Sequence, residues 1–226
     1  MSVPDTPTNL RPIRDKNVQI PLKYITLDGR LTVPKDAHGL VIFAHGSGSS
    51  RHSSRNWYVA EILHDQKIAT LLIDLLTDKE EQIDLRTRHL RFDIPLLADR
   101  LVEIASWAKN EPITQHLKLG YFGSSTGGGA ALIAAARKTV PISAVVSRGG
   151  RPDLAREYLS QVDAPTLLIV GEKDLTVLEL NRDALSKLNK HSRLHIIPGA
   201  THLFEEPGTL KLAAHEAMKW FKLYLG

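Results

Sequence analysis

The sequence predicts a single-domain α/β protein: one doubly wound, mostly parallel sheet preceded by an antiparallel hairpin. Three observations carry this. Short apolar runs and helix-like stretches alternate at βαβ spacing along nearly all of the 226 residues. Some runs are apolar at every position, as in Leu40-Val41-Ile42-Phe43-Ala44, which suits strands covered by helices on both faces. The composition, 42% hydrophobic and 24% charged with 15 Gly and 12 Pro, is that of an ordinary globular chain. It excludes disordered, collagen-like and coiled-coil classes.

Residues 1–16, proline-rich and of mixed charge, read as an irregular leader, with the domain proper over 17–226. Residues 18–26 alternate as a strand, Asp28-Gly29 is a hairpin signal, and 30–33 make a short return strand. Residues 40–44 form the first central strand. Helix and strand then follow in pairs: 57–66 with 69–73, 94–109 with 117–122, 128–138 with 144–147, 154–161 with 166–170, and 178–189 with 194–197. Residues 210–225 close the chain as an amphipathic helix whose core residues are Leu212, Met218, Trp220, Phe221 and Leu225. No stretch is left over for a second domain.

Several classes drop out. No apolar run approaches the roughly 20 residues that cross a bilayer, and MSVPDTPTNL has no basic or apolar signal region. A cytoplasmic protein with no membrane partner is expected. The absence of Cys excludes disulfides, thiolate zinc sites and a Cys nucleophile. The net charge of +4 is scattered, and Arg86, Arg88 and Arg91 read as a solvated helix face, so no nucleic-acid partner is expected. No metal or cofactor motif is visible.

In a sheet of this kind chemistry belongs at the carboxyl ends of the strands. The strand at 117–122 runs into Gly123-Ser124-Ser125-Thr126-Gly127-Gly128-Gly129 and then an Ala-rich helix. This is G-x-S-x-G in the strand–turn–helix context that the motif requires. A turn sharp enough to present Ser125 leaves no space for side chains two positions to either side, and Gly123 and Gly127 meet that demand. A phosphate-loop reading fails because Ala130 and Ala131 stand where Lys and Ser or Thr are needed. Ser124 is the nearest rival but breaks the glycine spacing.

A serine nucleophile needs a base and a group that orients it. The strand at 166–170 ends in Gly171-Glu172-Lys173-Asp174, and the one at 194–197 ends in Pro198-Gly199-Ala200-Thr201-His202. Asp174 and His202 are therefore expected as partners of Ser125, with Asp153 and Asp74 as weaker rivals for the acid. Asp153 reads as a cap for the helix that follows it. Backbone amides of Thr126 and of Ser47, with Gly48 as runner-up, are the expected oxyanion donors.

Taken together these residues resemble the α/β-hydrolase superfamily, and within it the small, lid-poor dienelactone-hydrolase-like proteins. The motifs are F-A-H-G-S-G at 43–48, G-Y-F-G-S-S-T-G at 120–127, V-G-E-K-D at 170–174 and G-A-T-H at 199–202. The resemblance spans residues from about Val18 to the C-terminus. It implies an α/β-hydrolase fold with little or no cap, in which Ser125 attacks a carbonyl, His202 moves the proton and Asp174 orients the imidazole. The implied substrate is a small-molecule ester, lactone or thioester, cleaved through an acyl-enzyme. Dienelactone hydrolases proper use Cys with a nearby Glu; this chain has no Cys and no Glu in the 45–50 loop, which argues against dienelactone itself.

Arg148 and Arg151 stand at the strand ends and are expected either to hold an anionic group of the substrate or to pair with Asp153 or Glu157. Arg51 and Arg55 could do likewise. Trp57, Leu178, Leu203 and Phe204 are candidate pocket walls. A monomer or homodimer is expected. Two other readings use the same residues: a non-hydrolytic binder on this fold, and a peptidase or haloperoxidase with the same triad.

Overall fold

The structure is a computed structural model that describes residues 14–226. Eight strands form one sheet: β1 (Arg14–Pro21), β2 (Thr26–Val33), β3 (Gly39–Ala44), β4 (Ile68–Ile73), β5 (Lys118–Ser124), β6 (Ile142–Arg148), β7 (Thr166–Gly171) and β8 (Arg193–Ile197). Their spatial order is β1-β2-β4-β3-β5-β6-β7-β8. β2 pairs antiparallel with both β1 and β4, and the other pairs are parallel. The helices are α1 (Ser54–His64), α2 (Asp78–Thr87), α3 (Ile94–Asn110), α4 (Thr126–Ala136), α5 (Leu175–Leu185) and α6 (Thr209–Leu225), with 3₁₀ segments at Leu90–Phe92 and Pro152–Gln161.

The continuous apolar runs behave as expected of strands buried on both faces. All six residues of β3, β4 and β7 are buried. Alternate positions supply the two cores. Leu40, Ile42, Leu119 and Tyr121 pack toward α3 and α4, while Val41, Phe43 and Phe122 pack toward α1 and α6. α4 is buried at every one of its 11 positions, so its run of Gly and Ala sets how closely it can approach the sheet.

Four expectations need correction. Residues 1–13 of the expected leader lie outside the described residues, but Arg14, Asp15 and Lys16 are already strand. The hairpin turns at Leu22 to Ile25, where the Leu22 amide donates to the Ile25 carbonyl at 2.8 Å, and not at Asp28-Gly29. Gly29 sits inside β2 opposite Val18 and Ile73, and a Cβ there would lie 3.2 Å from Leu71 Cδ1. This glycine serves close packing, not turning. Leu212 is 52% exposed, whereas Phe221 and Leu225 of the same helix are buried. α2 was not anticipated at all, and it changes the reading of the arginine group: Arg91 turns inward onto buried Asp84 instead of facing solvent.

His64 gives the fold a pH dependence. Its Nε2 lies 2.7 Å from Thr70 Oγ1, and burial pushes its pKa from 6.5 down to about 4, with the Asp15 charge opposing and the Arg30 charge adding. Between those values the unfolded chain binds a proton that the folded chain does not. Stability is therefore whole above the unfolded value and falls as pH drops toward the folded one, by up to about 3 kcal/mol. Urea midpoints taken at about pH 7 and about pH 4.5 should fall further for the wild type than for His64→Gln. Equal falls would assign the acid limb to other groups.

Candidate active site

β5 delivers Ser125 to α4 through a strained junction. Ser125 has φ 50° and ψ −122°, a left-handed conformation that costs an ordinary residue of order 1–3 kcal/mol. The flanking glycines make this geometry possible. A Cβ at Gly123 would lie 2.5 Å from Gly127 O, and one at Gly127 would lie 2.2 Å from Ala44 O. Ser124, the rival, is 7% exposed and donates its hydroxyl to Asn56 Oδ1 at 3.0 Å. Ser124 and Ser125 both line the cleft above the sheet, but the Ser125 hydroxyl, unlike that of Ser124, has no hydrogen-bond partner among the described residues.

Asp174 occupies the N-cap of α5 yet makes no capping hydrogen bond. Its carboxylate turns instead to His202, with Nδ1 2.6 Å from Oδ2. Asp174 is mostly buried and His202 is 40% exposed, so one end of the imidazole is held and the other is accessible. The two loops brace each other. Lys173 N donates to Ala200 O at 2.9 Å and Gly199 N to Glu172 Oε2 at 2.7 Å. His202 and Ser125 line the same cleft of about 260 Å³; among the described residues no hydrogen bond joins them. Such contacts are often long before substrate arrives.

The loop after β3 closes the other wall. Gly46 to Ser49 is a turn closed by Ser49 N to Gly46 O at 3.1 Å, with Gly48 at φ 73°. His45, given no role in the sequence reading, pins it: its Nε2 accepts from Leu75 N at 3.1 Å, and Nδ1 lies 2.9 Å from Gly46 O. The Ser47 amide donates to Thr126 Oγ1 at 2.9 Å, which ties this loop to the start of α4. The Thr126 amide opens that helix, where no intrahelical acceptor is available to it.

The arginines separate sharply. Arg151 forks onto Asp153 with bonds of 2.8 and 2.7 Å, so Asp153 is an ion-pair partner and not a helix cap. Arg51 and Asp74 are paired, which also removes Asp74 as a triad acid. Arg55 and Arg148 line the cleft with Ser125. Trp57 does not: it lines a separate groove, under the Arg30 guanidinium at 4.0 Å, and its indole N–H donates to Glu61. Leu178 packs in a small core cluster with Val170 and Val177, Phe204 is buried, and Leu203 reaches the cleft. Asn56 was missed because no motif marks it; its only sequence signal is a polar residue on the inward face of α1.

Comparisons with known proteins place the fold and the family. The family model described as the dienelactone hydrolase family matches residues 58–224. A crystal structure of a dienelactone hydrolase from Anabaena variabilis superposes with a TM-score of 0.92 at 59% identity, covering 94% of this chain and 99% of that one. Est1E from Butyrivibrio proteoclasticus, at 20% identity and a TM-score of 0.76 over 92% of this chain and 98% of that one, shares the fold. A Mycobacterium tuberculosis protein named as a candidate phosphoribosyl transferase is 55% identical over 210 residues; they make up 93% of this chain but 46% of that protein. The chain thus spans about half the length of the curated relatives it matches. With β4 to β8, the serine turn and the acid–histidine pair all inside residues 58–224, the chain belongs to the dienelactone hydrolase family.

Proposed function

We propose that this hydrolase cleaves a carboxylic ester, lactone or thioester of a small substrate through an acyl-enzyme on Ser125. The 2.6 Å contact between His202 Nδ1 and Asp174 carries the reading. It fixes the imidazole so that Nε2 is free to take a proton on the cleft side, where Ser125 stands. In attack, Ser125 Oγ would bond to the carbonyl carbon as its proton passes to His202. The imidazolium, steadied by the Asp174 carboxylate, then protonates the leaving oxygen or sulfur, and water repeats the sequence to release the acid. The Thr126 and Ser47 amides would receive the developing oxyanion, the latter shared with Thr126 Oγ1; Gly48 is the alternative donor. No helix among the described residues is long and apolar enough to cross a membrane; a cytoplasmic location is a separate part of the proposal.

The name phosphoribosyl transferase belongs to longer proteins of which this chain matches less than half, and an acid–histidine pair beside a strained serine supports hydrolysis for the matched part. The test is a panel of nitrophenyl esters and thioesters together with a fluorophosphonate. Turnover of short esters and a single covalent adduct on the peptide containing Ser125 are expected. An adduct on another serine would move the nucleophile. Cleavage of no ester or thioester would favour a binding role on the same fold.

A further inference from the structure

Arg148 is a buried cation with no acidic partner among the described residues. It ends β6, is 7% exposed, and gives Nη2 to two neutral acceptors, Ser124 Oγ at 3.1 Å and Asn56 Oδ1 at 3.2 Å. The Phe122 and Phe204 ring centres lie 5.7 and 5.8 Å from its guanidinium. Nη1 is buried and has no partner among the described residues. The chain does not treat its other enclosed arginines this way. Arg100 has Glu80, Arg91 has Asp84 and Arg51 has Asp74. Burial, followed by the charge of Arg55, pushes the Arg148 pKa down to about 10, which still leaves it charged at neutral pH. A desolvated guanidinium with no counter-charge is costly, and the cost is offset when a ligand brings the charge.

The walls around it narrow the choice of ligand. Arg148 shares the cleft with Arg55, whose one acidic contact among the described residues is a 3.4 Å approach to exposed Glu205. Ser47, Ser49 and Ser53 also line the cleft, and Leu203 is its one aliphatic wall. Such a lining is unsuited to a long acyl chain. Two guanidinium groups and several hydroxyls exceed what the two oxygens of a carboxylate can accept. A phosphoryl group offers three outer oxygens and a charge of about −1.5 to −2 at neutral pH, and guanidinium donors suit it.

We propose that the Arg148–Arg55 pocket seats the phosphoryl group of the substrate, so that the enzyme acts on an ester that also carries a phosphomonoester. This rests on the ester-hydrolase reading above. The phosphoryl group is a handle: the bond broken is the acyl C–O bond, water supplies OH to the acid and H to the alcohol, and no P–O bond changes.

Calorimetry on the full chain carrying Ser125→Ala tests the pocket without turnover, using inorganic phosphate and acetate at fixed ionic strength. Phosphate should bind in the millimolar range, and acetate at least about tenfold more weakly. Adding Arg148→Met or Arg55→Met should weaken phosphate by about tenfold or more, the range expected for one charge-assisted bond. A thermal melt checks that Arg148→Met still folds; if it does not, Arg55→Met, at a partly exposed position, decides. Undetectable phosphate binding, binding equal in both arginine variants and their parent, or acetate binding as tight as phosphate would each overturn the proposal. Ester turnover without phosphate binding removes the pocket alone. Phosphate binding without turnover of any ester removes the hydrolase reading and leaves the pocket.

Discussion

Ser125→Ala is expected to lower kcat on any cleaved ester by about four orders of magnitude or more, the scale seen when a serine nucleophile is deleted from a triad. In activation terms this is about 5 kcal/mol or more. The fold should barely notice, because alanine keeps the Cβ and with it the strain of φ 50° and ψ −122°. Ser125→Gly separates the two properties. It removes the same hydroxyl, and glycine adopts a positive φ at little steric cost, so it should be inactive yet more stable than the alanine variant by about 1 kcal/mol. Asp174→Asn should leave Ser125 in place but lose the carboxylate that holds His202 Nδ1, lowering kcat by about 10³- to 10⁴-fold. Rates on a short nitrophenyl ester and melting temperatures of the three variants are the measurements. Ser125→Ala retaining more than about a tenth of wild-type kcat would exclude Ser125 as the nucleophile. Strain that lowers stability and raises reactivity at one residue is the trade expected of a nucleophile elbow.

The sequence made the strand ends legible because steric demand there is written in residue type. Gly123, Gly127 and Gly171 each sit where a Cβ would lie 2.5 Å or less from a backbone atom, and each marks a loop that carries a residue of the proposed triad. The apolar runs were equally plain, since β3, β4 and β7 are buried at every position. α2 was not legible because it has no apolar stripe: Ile83 and Leu85 are exposed, and the one buried residue of the helix is Asp84, an acid. Its signal is electrostatic and local. Thr77 and Glu80 form a reciprocal cap, and Arg100 reaches across from α3 to the same Glu80. Trp57 was misplaced for a different reason. α1 begins at Ser54, three residues before the anticipated start, and the indole settles under Arg30 from the hairpin, a long-range contact that local pattern cannot supply. The unpaired state of Arg148 belongs to the same class, because only the fold, by bringing Asn56 of α1 to Ser124 of β5 and Arg148 of β6, shows that its acceptors are neutral.

Gly127→Ala should be the most damaging single methyl in the protein. The added Cβ would sit 2.2 Å from Ala44 O and 2.6 Å from His45 O. Both are backbone atoms at the end of β3, which is hydrogen-bonded to β4 on one side and β5 on the other. Neither side can yield alone: moving β3 opens two ladders, and moving α4 lifts a helix buried at all 11 of its positions. Overpacking against a rigid backbone in this way is expected to cost about 3–5 kcal/mol, a large share of the 5–15 kcal/mol typical of a domain. Gly199→Ala is the control. It has the positive φ of 69° that disfavours alanine, but nothing lies within 4 Å of the new Cβ, so only the backbone preference of about 1–2 kcal/mol is lost. Urea unfolding of the two variants separates steric exclusion from conformational preference, and the larger loss should fall at Gly127. A Gly127→Ala midpoint no lower than that of Gly199→Ala would mean that α4 can rise from the sheet, and the rigid seat assigned to Ser125 would have to be abandoned.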